Sequence, residues 1–255
     1  MIKSLLLAAG LVCTAGPVAA QAPSHFPPDS LINVKVIPRT TPVIQVVGMM
    51  RNFAGALGVR CHYCHVGQEG QPLAQFDFAK DEKRTKLTAR QMMRMVEEIN
   101  RRLDTLPEHD HGRDHAGPTL HVTCATCHRG VTRPLPLATL LEETAVVAGA
   151  DSAIRAYRAL RERYYGRDAY DFGEASLNIA AFRLGRASRF ADAFALLRLN
   201  EDLFPGSSVM SVFRGNISLM QGDTTAAAAA FREAVRRDPA NDEAKARLRT
   251  IGRTP

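Results

Sequence analysis

Cys61-His62-Tyr63-Cys64-His65 and Cys124-Ala125-Thr126-Cys127-His128 are two copies of one pattern, C-x-x-C-H, in a chain that has five cysteines in all. Residues three and four apart share a face of a helical turn. Each box therefore sets two thiols side by side, with an imidazole directly after the second. This is the attachment pattern for c-type haem, in which the thiols reach the vinyl groups and the histidine lies under the iron. Read so, Cys61, Cys64, Cys124 and Cys127 hold two haem c groups, and His65 and His128 are axial ligands. Two rivals exist. Paired C-x-x-C elements also build zinc ribbons, but zinc sites seldom use a histidine after both second cysteines. Four thiols in an oxidising compartment can instead form disulfides, which leaves both histidines unused. Haem employs all six side chains.

Export fits this reading. Residues 1–20 have the form of a secretory signal: Lys3, an apolar run from Ser4 to Gly16, then Val18-Ala19-Ala20 before Gln21. The run is too short to span a bilayer. Cys13 falls inside it, after Val12, a poor setting for lipidation. The expected location is periplasmic, and the four remaining cysteines are those of the two boxes. Apolar residues make up 45% of the 255-residue chain, a globular composition, while aromatics reach 6% and tryptophan is absent. Haem can fill a core that would otherwise need such bulk. The formal charge of +7 and pI near 9.4 favour acidic redox partners or membrane surfaces. Nucleic acid is not an expected partner of an exported haem protein.

Residues 21–40 hold several prolines and read as an extended arm, with Leu31–Ile37 as a short strand or a cover over the first haem. Thr41-Pro42 marks a helix start and Gly58 its end. Val46, Met50, Phe53 and Leu57 share one apolar face of that helix. An iron with one histidine ligand needs a sixth partner, and a thioether suits it. Met50 is favoured by its face, with Met49 as the alternative. Residues 66–85 read as a polar loop, and the charges of Lys80–Lys86 as a solvated surface. A second helix is expected from about Leu87 to Leu103, with Met92, Met95, Val96, Ile99 and Leu103 on its buried face and Met93 slightly off it. The connection that follows carries His109, His111, His115 and His121. It reads as a polar insertion, and His121 is an alternative sixth ligand.

Several segments together resemble a known family. They are Met50-Arg51 through Leu57-Gly58-Val59-Arg60-Cys61, then Ala89-Arg90-Gln91-Met92-Met93-Arg94-Met95-Val96-Glu97-Glu98-Ile99-Asn100, then Val122-Thr123-Cys124 through His128-Arg129-Gly130. Over residues 41–135 the chain is similar to the cytochrome c subunit of the photosynthetic reaction centre and its non-photosynthetic relatives. In that family a helix bearing the sixth-ligand methionine precedes its own haem box. The resemblance thus implies Met92 for the second haem and supports Met50 for the first. It also implies redox partner proteins, among them a membrane redox complex or reaction centre. The chain departs from the family in having two boxes where the reaction-centre subunit has four haems. It also lacks the lipidated N-terminal cysteine, and its second connection is longer.

Pro134 and Pro136 mark a boundary, giving a haem-bearing region at 21–135 and a helical region at 136–255. In the latter, Ala193 matches Ala227, Leu197 matches Phe231, Pro205 matches Pro239, and Ala181 matches Gly215, all at a spacing of 34 residues. That resembles tetratricopeptide repeats, helix pairs of this period. The helices of Leu137–Tyr165 would form a further pair or cap, and Ala226–Ala230 a close-packing face. Such a region can dock a protein partner, and a plain helical bundle is the simpler alternative. The expected fold is mainly α. The expected function is electron transfer rather than enzymatic turnover. A dihaem peroxidase, which needs a displaceable sixth ligand, is the enzyme alternative. A docking protein whose haems sense redox state is the third.

Overall fold

The computed structural model describes residues 25–105 and 121–252. The segment read as a signal, with Cys13, lies outside the described residues, as do His109, His111 and His115. The fold is mainly helical, and its C-terminal part is built of helical repeats. The chain divides into two compact units. Met1–Gly55 with Val59–Val122 forms the first, and Ala56–Gly58 with Thr123–Pro255 the second.

In the first unit, α1 (Val43–Leu57) starts where the Thr41-Pro42 pair predicts. The amides of Gln45 and Val46 bond to the Pro42 carbonyl at 3.0 and 3.1 Å. Proline costs nothing there, because the first amides of a helix have no intrahelical partner. Gly58 stops the helix in the left-handed region, φ +67°, and the Val59 amide reaches back to the Ala54 carbonyl at 3.0 Å. That is the Schellman arrangement. The second helix, α2 (Arg84–Leu103), begins three residues earlier than expected and includes Lys86 in its first turn. Leu31–Ile37 forms no strand. Among the described residues the sole β-type pairing is an isolated bridge between Val66 and Asp77. Of the hydrophobic residues described in this unit, Val46 and Phe76 alone are buried. Met50 and Phe53 on α1, and Met92, Val96 and Ile99 on α2, are half-buried. Met95, expected on the buried face, is 46% exposed.

The second unit has a dense core. After α3 (Cys124–His128) come α4 (Leu137–Ala148), α5 (Ala150–Tyr164), α6 (Glu174–Arg186), α7 (Phe190–Leu203), α8 (Ser208–Met220), α9 (Thr224–Arg237) and α10 (Asp242–Thr250). Starts recur at the period read from the sequence, from α6 to α8 to α10 and from α7 to α9. Pro205 and Pro239 follow α7 and α9, where they cannot break a helix. Side-chain caps recur as well. Ser207 Oγ accepts from the Met210 amide at 3.0 Å, Asp223 Oδ1 from Ala226 at 2.8 Å, and Asn241 Oδ1 from Ala244 at 2.9 Å. The Leu137–Tyr165 stretch is indeed a helix pair. Its α4 packs on α6 and its α5 on α7, while α6 packs on α8 in turn. Leu141, Leu177, Leu184, Leu196, Leu197 and Ile217 are fully buried between them. Buried polar groups are paired: Asn200 Nδ2 donates to Asn178 Oδ1 at 2.8 Å and to the Glu174 carbonyl at 3.2 Å.

Candidate haem sites

The two boxes are built differently. In the first, Cys61–Tyr63 forms a tight 3-10 turn after extended Arg60. The His65 amide returns to the Cys61 carbonyl at 2.9 Å, which brings Cys64 and His65 round beside Cys61. The start of α2 secures this turn from outside. Thr85 Oγ1 donates to the Tyr63 carbonyl at 2.5 Å, and Lys83 Nζ donates to the His62 carbonyl. All four box cysteines are free thiols. Burial raises the Cys64 thiol above its ordinary pKa, against the hydrogen bond from Thr85. The His65 ring packs edge-on against Phe78 at 5.0 Å between centroids, and Phe78 stacks on buried Phe76. Burial, then the nearby Lys86 ammonium, holds the imidazole pKa down to about 4. The ring is therefore neutral at pH 7 and keeps a lone pair for a metal. Its Nδ1 is buried with no hydrogen-bond partner.

The second box is a single α-turn. Thr123 and Thr126 form a capping box, with the Thr123 amide bonded to Thr126 Oγ1 at 3.0 Å. Arg129 closes it at φ +47° and Gly130 follows at φ +88°. His128 Nδ1 lies 2.8 Å from the Val131 carbonyl. With Nδ1–H donating there, Nε2 carries the lone pair, the usual arrangement that orients a ligating histidine. Burial raises the Cys124 thiol. The Gly130 amide donates to the Ala56 carbonyl at 2.8 Å. A Cβ on Gly58 would lie 2.1 Å from the Gly130 carbonyl oxygen. This box is thus clamped against the end of α1 at a point where only glycine fits. In the first unit, Asn100 fixes the approach to this box. Its Nδ2 donates to the Val122 carbonyl at 2.9 Å and its Oδ1 accepts from the Val122 amide at 2.8 Å.

Of the candidate sixth ligands, Met49 and Met50 are both half-buried on α1. Met92 and Met93 are half-buried on α2, where Met92 was expected on the buried face and Met93 off it. His121 is exposed, 3.4 Å from Asn100 Nδ2. Among the described residues no three His, Cys, Asp or Glu side chains gather as a metal-ion site.

The residues suit a covalently held haem by their chemistry. Free thiols stand in pairs, both imidazoles have a nitrogen to give, and the first unit leaves its long apolar side chains half-covered.

One expectation is overturned. Lys86, read as part of a solvated charge run, is buried, because its ammonium finds three carbonyls and a carboxylate. It donates to Phe78, Ala79 and Lys80 carbonyls at 2.8, 3.1 and 2.6 Å and pairs with Asp81 at 3.0 Å. Sequence reasoning also missed the cluster of Phe26, Phe76 and Phe78 beside His65. The alternation in Phe76-Asp77-Phe78 was its one visible signal.

Residues 38–148 match the family model described as photosynthetic reaction centre cytochrome C subunit. Over 119 residues the chain is 32% identical to the photosynthetic reaction center cytochrome c subunit of Rubrivivax gelatinosus (strain NBRC 100245 / IL144). That alignment takes in 43% of this chain and 30% of the relative, so the chain spans about a third of that protein's length. The matched stretch contains both boxes and both methionine-bearing helices. Both comparisons thus find a likeness to reaction-centre cytochrome c subunits that is confined to this stretch, less than half of the chain.

Proposed function

We propose that this protein is an exported dihaem c-type cytochrome that passes electrons between redox partners. The observation that carries this reading is the pair of C-x-x-C-H turns, each with two free thiols and a histidine able to ligate. Cys61 and Cys64 would hold one haem and Cys124 and Cys127 the other, with His65 and His128 each giving a nitrogen to an iron. Each bound haem supplies one-electron exchange at its iron. The chain's own residues fix the ligands: Thr85 and Lys83 brace the first turn, and the Val131 carbonyl orients His128. Met50 and Met92 would supply the remaining iron ligand of each haem.

Residues 21–135 form the haem-bearing region in this reading, and 136–255 a tetratricopeptide-like region that docks a protein partner. Resemblance to a reaction-centre subunit makes a membrane redox complex, or a reaction centre itself, the partner class. Among the described residues no helix is long and apolar enough to cross a membrane.

The test is a count. Exported from cells with a c-type maturation system, the protein should carry two covalent haems per chain by haemochrome assay and intact mass. Cys61→Ala with Cys64→Ala should leave one. A haem-free or zinc-loaded product would overturn the reading. The ligand assignment has its own expected outcome: Met50→Ala or Met92→Ala should each open one iron to carbon monoxide and lower that haem's potential. If Met92→Ala leaves both spectra unchanged, His121 or Met95 takes its place. Peroxide turnover by the unaltered protein would replace electron transfer with the peroxidase alternative.

A further inference from the structure

The two axial histidines sit in opposite electrostatic settings, each described within its own unit. Behind His128 lies a neutral acceptor, the Val131 carbonyl. A hydrogen bond from Nδ1–H to that carbonyl pushes electron density onto the ring and favours the more positive, oxidised iron. Behind His65 the contact is weaker: its buried Nδ1 makes no hydrogen bond of good geometry, although the Phe78 backbone lies close to the ring. What faces it is Phe78, whose ring packs on the imidazole and whose carbonyl accepts from the buried ammonium of Lys86 at 2.8 Å.

That ammonium is fixed. It is held by three consecutive carbonyls and by Asp81. Asp81 also takes Arg90 Nη1 at 2.8 Å, and Arg90 Nη2 reaches the Asn33 carbonyl at 3.0 Å. Asn33 in turn donates to the Ala79 carbonyl at 2.6 Å. Two buried or nearly buried cations thus share one carboxylate, and Lys83 adds a third positive charge at the His62 carbonyl. The net charge next to the first box is positive. A fixed positive charge of low exposure disfavours the oxidised iron, and salt screens it little.

We propose that Lys86, with Asp81 and Arg90, makes the first box the higher-potential site of the pair, so that an electron shared within the protein rests at Cys61–His65. This deepens the dihaem reading above and rests on it. Lys86 is a positioning residue here, acting through the field at His65 without touching the metal.

The experiment is a redox titration of the purified holoprotein, followed optically and by electron paramagnetic resonance. The Cys61→Ala, Cys64→Ala protein assigns the second haem. In the unaltered protein the first haem should be reduced before the second. Lys86→Gln should lower the first midpoint, changing the ratio of oxidised to reduced iron at fixed potential on the order of tenfold, and leave the second unmoved. Asp81→Asn should move the first midpoint the other way. Local unfolding cannot produce that opposite sign, and Lys86→Arg should restore most of the original value. The gap between the two midpoints should persist as salt is raised. Equal midpoints, a reversed order, or the same direction of shift from Lys86→Gln and Asp81→Asn would overturn the proposal while leaving the dihaem reading intact. A protein without haem would overturn the parent reading itself.

Discussion

Gly58→Ala should destabilise the second unit by about 3 kcal/mol and cut the yield of haem at Cys124 and Cys127. Two effects add. A left-handed φ of +67° costs any residue with a Cβ, and the new methyl would lie 2.1 Å from the Gly130 carbonyl oxygen. That obstacle is backbone, so no side-chain rotation relieves it. Relief requires breaking the 2.8 Å bond from the Gly130 amide to the Ala56 carbonyl, and His128 is only two residues from Gly130. Gly55→Ala is the control. Gly55 sits in α1 with nothing within 4 Å of a built Cβ, so alanine there should be neutral or stabilising by up to about 1 kcal/mol. Urea unfolding followed by circular dichroism, with a haem count on each variant, separates the two. Equal stability of Gly58→Ala and the unaltered protein would mean that the Gly130 clamp does not form.

Phe231→Ala should cost about 3–5 kcal/mol. The ring is fully buried on α9, and α8 meets it with Gly215, whose built Cβ would lie 2.4 Å from the ring. The two residues interlock, flat aromatic against bare backbone. Gly215→Ala alone should also destabilise, by overpacking. The double replacement should cost less than the sum of the two, because the added methyl enters the space the ring leaves. Additivity in urea midpoints would show that the pair does not pack as described.

Features written in local chemistry were legible. Pro42 and Gly58 bound α1 because a fixed φ and a positive φ are properties of single residues. The repeat period was legible from Ala193 with Ala227 and Leu197 with Phe231, since small and large core positions must recur when helix pairs stack. The two boxes were legible because thiol and imidazole spacing is itself the chemistry. What escaped depends on distant partners. Lys86 looks like its charged neighbours until the carbonyls of Phe78, Ala79 and Lys80 turn inward to meet it. Met95 has the same side chain and nearly the same helical phase as Met92, yet is exposed. Periodicity gives a face but not the width that neighbours cover. The asymmetry between His65 and His128 was invisible, because the two boxes are alike in every residue that the pattern defines.

The tie made by Asn33 has a consequence for how the chain acquires its shape. Its bonds join residues 46 and 57 positions apart, to Ala79 and from Arg90. In the helical repeats the most extensive packing is instead between consecutive helices, α4 with α5, α6 with α7 and α8 with α9. Distant closures carry a larger entropic penalty and slow the search, whereas neighbour-to-neighbour stacking proceeds quickly. The C-terminal helices should therefore mature early. The arm that locks Arg90 and backs the Lys86 cage should be among the last parts to settle, so the surroundings of the first box are completed only at the end of folding.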